Sequence, residues 1–298
     1  MILVSGATGR LGRLVVRELS AAGMAVRAMV RDPAASTEFV GPGVEIVRGD
    51  FEDPDSLDAA LRGIDKALLV PPASMRQVRH EATFIDAVRR AATGHVVKLS
   101  VISADPKSPG PIPQWHGMAE KQLESSGVRF THLRPNFSMQ TMLRFAAPIR
   151  RIDTFCLPLG SARVALVDMR DVATAAASVL LGTGHEGRTY VLTGPESLDF
   201  DEVAGQLSAA VGRPIGYQPI TPAEFKAVIL KHWATTEPYA DATVSIWRGV
   251  SHGSYTAVTP DLAALIGRPP RRFAEFARDH AGSFAARAAF RARRRETV

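Results

Sequence analysis

The chain has 298 residues, 36 Lys+Arg against 30 Asp+Glu, 46% hydrophobic and 22% charged residues and one Cys, which excludes wholesale disorder, a collagen-like repeat and a disulfide-stapled mini-protein. The net charge of +6 lies entirely in Arg268–Val298, where nine Arg stand against three acids, so the body is neutral and neither nucleic acid nor a membrane is an expected partner. The start, Met1-Ile2-Leu3-Val4, is too short and lacks the basic flank of a signal peptide or membrane span, so a soluble cytoplasmic protein is expected.

Short β-branched runs alternate with amphipathic stretches, the pattern of βαβ units. Strands are expected at Ile2–Ser5, Ala25–Val30, Val44–Arg48, Lys66–Val70, His95–Val101 and Arg129–Leu133. Between them, Leu11, Leu14, Val15 and Leu19 recur at helical spacing before a stop at Gly23, and Pro54–Arg62 reads as a Pro-started helix ending at Gly63. Met75–Ala92 and Gln114–Ser126 read as two further helices. These elements make an α/β protein with a doubly wound parallel Rossmann sheet.

Beyond Pro135 the alternation loosens. A strand at Arg163–Val167, an Ala-rich helix at Asp171–Leu181 and a strand at Thr189–Thr193 are followed by helices at Asp201–Val211, Pro222–Lys231 and Pro260–Ile266. The expected division is therefore 1–135 and 161–195 for the dinucleotide-binding sheet, with 136–160 and 196–298 for a smaller, mostly helical substrate-capping domain. Arg287–Arg295 reads as a fraying helix end or a disordered tail.

The first strand runs directly into Gly6-Ala7-Thr8-Gly9-Arg10-Leu11-Gly12 and then into a helix. Glycines at 6, 9 and 12 supply a tight turn, close backbone approach to a pyrophosphate and close helix-on-strand packing, with the helix N-terminus facing the anion. Their place between first strand and first helix points to a dinucleotide. Its identity is read at the end of the second strand, Val30-Arg31-Asp32-Pro33. Arg31, joined by Arg10 from the glycine turn, would take a 2′-phosphate, so NADP(H) is expected; the alternative is NAD(H), with Asp32 on the ribose.

The segments GATGRLG, VRDP, VEIVRGDFEDPDSL, LLVPP, EKQLESSGVRFTHLRPNFSMQ and VDMRDVA, in this order over roughly the first 200 residues, resemble the NmrA-like branch of atypical short-chain dehydrogenase/reductases. The resemblance implies that Asp50 and Phe51, after Gly49, flank the adenine. It also implies that Val70, Pro71 and Pro72 pass near the nicotinamide ribose and that Pro135, Asn136 and Phe137 lie by the nicotinamide. Asp50 has a second reading as a solvated helix entry, and Phe137 as core.

Catalytic members of the superfamily relay a proton through a Tyr and a Lys four residues later. Here Tyr190, Tyr217, Tyr239 and Tyr255 are followed at that spacing by Gly194, Thr221, Thr243 and Thr259. Where the pair would stand, His116 and Glu120 lie one helical turn apart. His116 is therefore the candidate proton donor, with Glu120 tuning or orienting it; the alternative puts His116 on the helix surface and pairs Glu120 with Lys121 or solvent. Ser100 and Ser103, at the fifth strand's end, stand where a substrate carbonyl would need a donor, with Ser100 also counted among the cofactor-binding residues, although Ser103 also suits a turn or N-cap. Trp115, Met118, Phe137, Met139, Met142 and Phe145 would suit an aromatic substrate or ordinary packing, and Tyr239, Trp247 and His252 are candidates to cap it.

Without a strong base for a hydroxyl proton, reduction of an already electrophilic acceptor is the expected chemistry. The expected function is an NADPH-dependent reductase transferring hydride to a small quinone, azo, iminium or enone-like substrate. The alternative is a non-catalytic NAD(P)-binding redox sensor. A small molecule is the expected partner, a homo-oligomer stays open, and no metal is expected.

Overall fold

The computed structural model describes residues 1–34, 36, 42–233, 235–251, 253 and 255–285. The expected tail Arg287–Arg295 and His252 lie outside the described residues. In chain order come β1 (Ile2–Val4), α1 (Arg10–Ala21), β2 (Val26–Val30), β3 (Val44–Arg48), α2 (Pro54–Leu61) and β4 (Lys66–Leu69). Then follow α3 (Gln77–Arg90), β5 (His95–Leu99), α4 (Pro111–Ser125), β6 (Phe130–Pro135) and a 3-10 helix, Met139–Phe145. The remainder runs α5 (Ala146–Ile152), β7 (Thr154–Leu157), α6 (Met169–Leu181), β8 (Arg188–Leu192), α7 (Phe200–Val211) and β9 (Gly216–Pro219). The last helices are α8 (Pro222–His232), α9 (Glu237–Ser251), α10 (Asp261–Ile266), α11 (Phe273–Asp279) and α12 (Ala281–Phe284). Among the described residues, no helix is long and apolar enough to cross a membrane.

Two compact units result. The first comprises Met1–Pro135, Met169–Leu192 and Thr259–Pro269. Its seven strands pair in the order β3-β2-β1-β4-β5-β6-β8, all parallel. The order reverses between β1 and β4, and open parallel sheets bind ligands beyond the strand ends at such a switch point. Near-continuous apolar strands are what a sheet covered on both faces requires; Leu3, Val4, Ala28, Leu68, Val96 and Val97 are fully buried. Helix α1 buries Leu11, Gly12, Val15, Val16 and Leu19 and packs on the Ala-rich α6. It stops where expected: Gly23, at φ +75°, donates to Ser20 O while Met24 N donates to Leu19 O, satisfying the last carbonyls of the helix. Leu57, Ile64, Phe84, Val88 and Leu123 anchor the core shared with α2, α3 and α4, each contributing about 1.5–3 kcal/mol by burial.

Helix α4 starts at Pro111, three residues before the expected Gln114, because prolines are tolerated in a first helical turn whose N–H groups have no partner. Strand β8 brings the expected six parallel strands to seven. The segment Thr259–Pro269 returns to the first unit instead of joining the expected 196–298 cap. Asp261 accepts from Val191 N (2.8 Å), the Thr259 hydroxyl donates to Val191 O, and Arg268 pairs with the buried Asp171 (2.6 Å).

The second unit comprises Asn136–Asp168, Thr193–Val258 and Pro270–Val298. It starts at Asn136, and the chain re-enters the first unit at Met169, whereas the sequence reading puts that return at residue 161. Arg163–Val167, expected as a strand, makes only isolated bridges, Val164 to Leu198 and Val167 to Ser138. The unit holds a parallel pair, β7 with β9, too short to stand out in the sequence. Capping boxes start α7 (Asp199 with Glu202) and α8 (Thr221 with Glu224). Phe145, Phe155, Phe200, Tyr217, Phe225, Trp233 and Trp247 pack ring against ring through its core.

Candidate functional site

The turn from β1 into α1 is made almost entirely by backbone. Gly6 has φ +58°, a conformation that a side chain disfavours, and Gly9 N donates to Gly6 O at 2.9 Å. A Cβ on Gly12 would lie 2.3 Å from Gly6 O and 2.8 Å from Ala7 Cα, so only glycine fits there. Gly9 is the N-cap, offers no side-chain cap, and the first turn holds no acid. The first-turn N–H groups of a helix point away from its own carbonyls, the arrangement that receives a phosphate, and here they belong to Arg10, Leu11 and Gly12. Thr8, Gly9 and Arg10 are exposed, and Arg13 Nε fixes the turn through Thr8 O (2.8 Å). This cradle, which a Cβ would fill, fits the pyrophosphate of a dinucleotide.

Around the cradle, Arg31 is exposed just beyond β2. Asp50 follows β3; its Oδ1 accepts Glu52 N (2.9 Å) and its N donates to Ser56 Oγ (2.9 Å), so part of the carboxylate shapes the entry into α2. The half-buried Phe51 packs its ring on Phe84 and His80. Val70, Pro71 and Pro72 are half-buried at the end of β4. Val70 N donates to Ser5 Oγ (2.8 Å), which ties the ends of β1 and β4 together.

A second region, at β5, α4 and β6, is built from side chains. The two-residue period of strands puts Lys98 and Ser100 on the same side as His132 and Arg134, since Lys98 pairs in register with His132. Lys98 is fully buried. Its Nζ lies 2.5 Å from Glu81 Oε2 on α3 and donates to His116 Nδ1 at 3.2 Å on α4. Gln77 Nε2 holds the other Glu81 oxygen (2.9 Å). Burial raises the Glu81 pKa, against the opposing pull of Lys98. An ammonium can only donate, so Nδ1 accepts, and the His116 proton sits on Nε2. Burial, reinforced by the Lys98 charge, drives the His116 pKa well below its ordinary value, and the ring is neutral.

Glu120 does not orient His116 as the sequence reading expected. Both its oxygens are taken by Arg134: Oε1 accepts from Nε at 3.0 Å and Oε2 from Nη2. Burial would raise the Glu120 pKa, but Arg134 and the Ser100 hydroxyl outweigh it and hold the group below the usual range. A carboxylate chooses a bidentate guanidinium over a neutral ring. Beside it, burial pushes His132 down to about 4, with Glu120 opposing. Glu120, Glu124 and His132 bring ligand-type atoms within 4.8 Å of one another, yet Arg134 and Lys121 already neutralise the two carboxylates.

Ser103 is exposed in the turn after β5, with φ +61°, uncommon for a residue with a side chain. Ser100 is buried, its N–H on Leu133 O (2.7 Å). Pro135 ends β6. In the second unit, the Asn136 amide is turned to structure: Nδ2 donates to Tyr255 O (2.8 Å) and Oδ1 accepts Phe137 N (2.7 Å). Phe137 is half-buried, braced by Trp247 (4.6 Å between centroids) and Tyr255 (5.3 Å).

Sequence reasoning missed Lys98, Glu81 and Arg134. A signal was available in Lys98, a charge inside the apolar run Val96-Val97-Lys98-Leu99. A lysine on a doubly covered strand must have a buried partner.

The sequence profile of the NmrA-like family matches residues 1–247. An NAD(P)H azoreductase of Xenophilus azovorans is 39% identical over 286 residues, covering 96% of this chain and 100% of the relative. The crystal structure of an NADPH-dependent quinone oxidoreductase of Escherichia coli complexed with NADPH is 30% identical, with a TM-score of 0.85 over 93% of this chain and 98% of the other. A triphenylmethane reductase of Citrobacter sp. complexed with NADP(H) is 28% identical, with a TM-score of 0.85 over 94% and 100%. With the glycine turn and the parallel sheet described above, these matches establish that the chain belongs to the NmrA-like family.

Proposed function

We infer that this protein is an NADPH-dependent reductase of small electrophilic aromatic acceptors, a quinone or azo compound before an iminium or enone. The observation that carries the cofactor assignment is the β1–α1 turn, where Gly12 leaves no room for a Cβ and α1 starts without a side-chain cap. The relatives that reduce azo compounds and quinones support the acceptor class. When bound, NADPH supplies a hydride.

In this reading the amides of Arg10, Leu11 and Gly12 hold the pyrophosphate, and Arg31 with Arg10 meets the 2′-phosphate. Asp50 and Phe51 border the adenine. Val70, Pro71 and Pro72 guide the nicotinamide ribose, where Ser100 supports the strand end, and Pro135, Asn136 and Phe137 shape the nicotinamide environment. The neutral His116 presents an N–H to the acceptor, and Ser103 offers its hydroxyl. Glu120, with Arg134, holds α4, the helix that carries His116, on β6.

The test is NADPH consumption against a panel of quinones, azo dyes and enones, with dinucleotide binding measured in parallel. Turnover of at least one acceptor class is expected; binding without turnover on any acceptor would favour the redox-sensor alternative. Arg31→Ala is expected to weaken NADPH about tenfold, about 1.4 kcal/mol, and to leave NADH unchanged. Equal losses for both would remove the 2′-phosphate assignment.

A further inference from the structure

We propose that Lys98, buried on β5 against Glu81, fixes His116 as a neutral Nε2–H hydrogen-bond donor and replenishes that proton when the reduced acceptor takes it. The proposal deepens the reductase reading and rests on it, because His116 must face the acceptor.

Three observations carry it. Lys98 Nζ stands between Glu81 Oε2 (2.5 Å) and His116 Nδ1 (3.2 Å), with Leu99 O at 3.3 Å. Its side chain and that of Glu81 are both fully buried, and such a pair is costly to place inside a protein unless packing and further hydrogen bonds hold it. Gln77, on the second Glu81 oxygen, supplies one such bond. Finally, an imidazole whose Nδ1 faces an ammonium is a poor site for a second positive charge, so His116 cannot serve as an imidazolium acid near neutral pH. The proton-bearing group hydrogen-bonded to the far nitrogen of the ring is the Lys98 ammonium, at 3.2 Å.

Hydride reduction leaves a lone pair and a negative charge on a heteroatom of the acceptor. That atom takes the Nε2 proton of His116, and Nδ1 takes a proton from the Lys98 ammonium. The ring returns to neutrality as the Nδ1–H tautomer, Lys98 becomes a neutral amine, and Glu81 stays a carboxylate. After product leaves, a solvent proton on Nε2 and return of the Nδ1 proton to Lys98 restore the start. One solvent proton is consumed per hydride. The charged and titratable groups facing this chain are Glu81 from α3, Glu120 and Glu124 from α4, and His132 and Arg134 from β6.

Because Lys98 acts through His116, the test reads the ring as well as turnover. Nitrogen NMR of the histidine rings in the ligand-free protein near neutral pH is expected to show His116 neutral and protonated on Nε2. In Lys98→Met/Glu81→Met, which replaces the ion pair with apolar side chains and leaves no orphaned charge, His116 is expected to titrate at higher pH than in the wild type. Its kcat is expected to fall on the order of 10- to 100-fold, with NADPH affinity within about twofold. The fall should steepen as the pH rises through the raised His116 pKa, a dependence absent from the wild type. Lys98→Arg keeps the charge but holds its proton too tightly to release it; it is expected to preserve the tautomer and still lose kcat. An imidazolium or Nδ1–H ring in the wild type would overturn the proposal, as would a double variant or Lys98→Arg with wild-type kcat and pH profile. A wild type that turns over no acceptor would instead sink the reductase reading and the relay built on it, and the NMR result would separate the two failures.

Discussion

The two candidate regions of the first unit are built on opposite principles. The β1–α1 turn is a backbone device: three glycines within seven residues, one at φ +58°, one with no space for a Cβ, and a helix start left uncapped. The layer at β5, α4 and β6 is a side-chain device whose members, Glu81, Lys98, His116, Glu120 and Arg134, are drawn from four elements and meet only in the fold. The backbone device tolerates almost no local change. In the side-chain device each charge is conditional on its partner, so its chemistry is set by pairs.

Gly12→Ala strikes the backbone device hardest. The added Cβ would sit 2.3 Å from Gly6 O, and both atoms belong to the turn itself, so relief requires moving α1 away from β1. A loss of about 3 kcal/mol in urea unfolding is expected, with NADPH affinity weakened about 100-fold or more because the first-turn amides move with the helix. A variant with wild-type stability and affinity would show that the close approach of helix and turn has no role in the site.

That difference in construction explains what could be read from the sequence. The glycine turn was legible because its meaning depends on adjacent residues: strand, Gly6, Gly9, Gly12, helix. The same holds for the stop at Gly23 and for the Pro54 start of α2, which Asp53 caps through Ser56 N. The His116–Glu120 relation was misread because helical spacing says only that two side chains share a face. It does not say that Arg134, on a strand fourteen residues later in the chain, will take the carboxylate. Likewise Thr259–Pro269 looked like part of the helical cap, because its ties to Val191 and Asp171 are long-range.

The side-chain device can be probed through proton linkage. His132 is fully buried, stacks on Phe130 with centroids 4.7 Å apart, and titrates near 4 against an ordinary value of 6.5. A histidine with a lowered folded pKa binds fewer protons when folded than when unfolded. Its contribution is therefore fully present above pH 6.5 and is lost as the pH falls from 6.5 towards 4, by about 2–3 kcal/mol in all. His132→Phe retains a ring for the stack and cannot titrate. Urea unfolding from pH 7 to pH 4 is expected to lose correspondingly less stability in this variant than in the wild type. His116 and His95, also lowered by burial, are common to both proteins and cancel in the difference. Parallel pH curves would mean that this buried ring does not control the acid limb.

Ser103 tests whether a single residue can belong to both kinds of device. Its φ of +61° is a backbone feature that glycine would adopt without strain, while its hydroxyl, exposed after β5, is the feature that the proposed chemistry uses. Ser103→Gly should therefore raise stability by up to about 1 kcal/mol and lower turnover about tenfold. Ser103→Ala keeps the backbone strain and removes the same hydroxyl, so it should lose the same turnover with no gain in stability. A glycine variant that gains stability and keeps full turnover would assign Ser103 to the turn alone, and the strain at this position would then have no catalytic purpose to explain it.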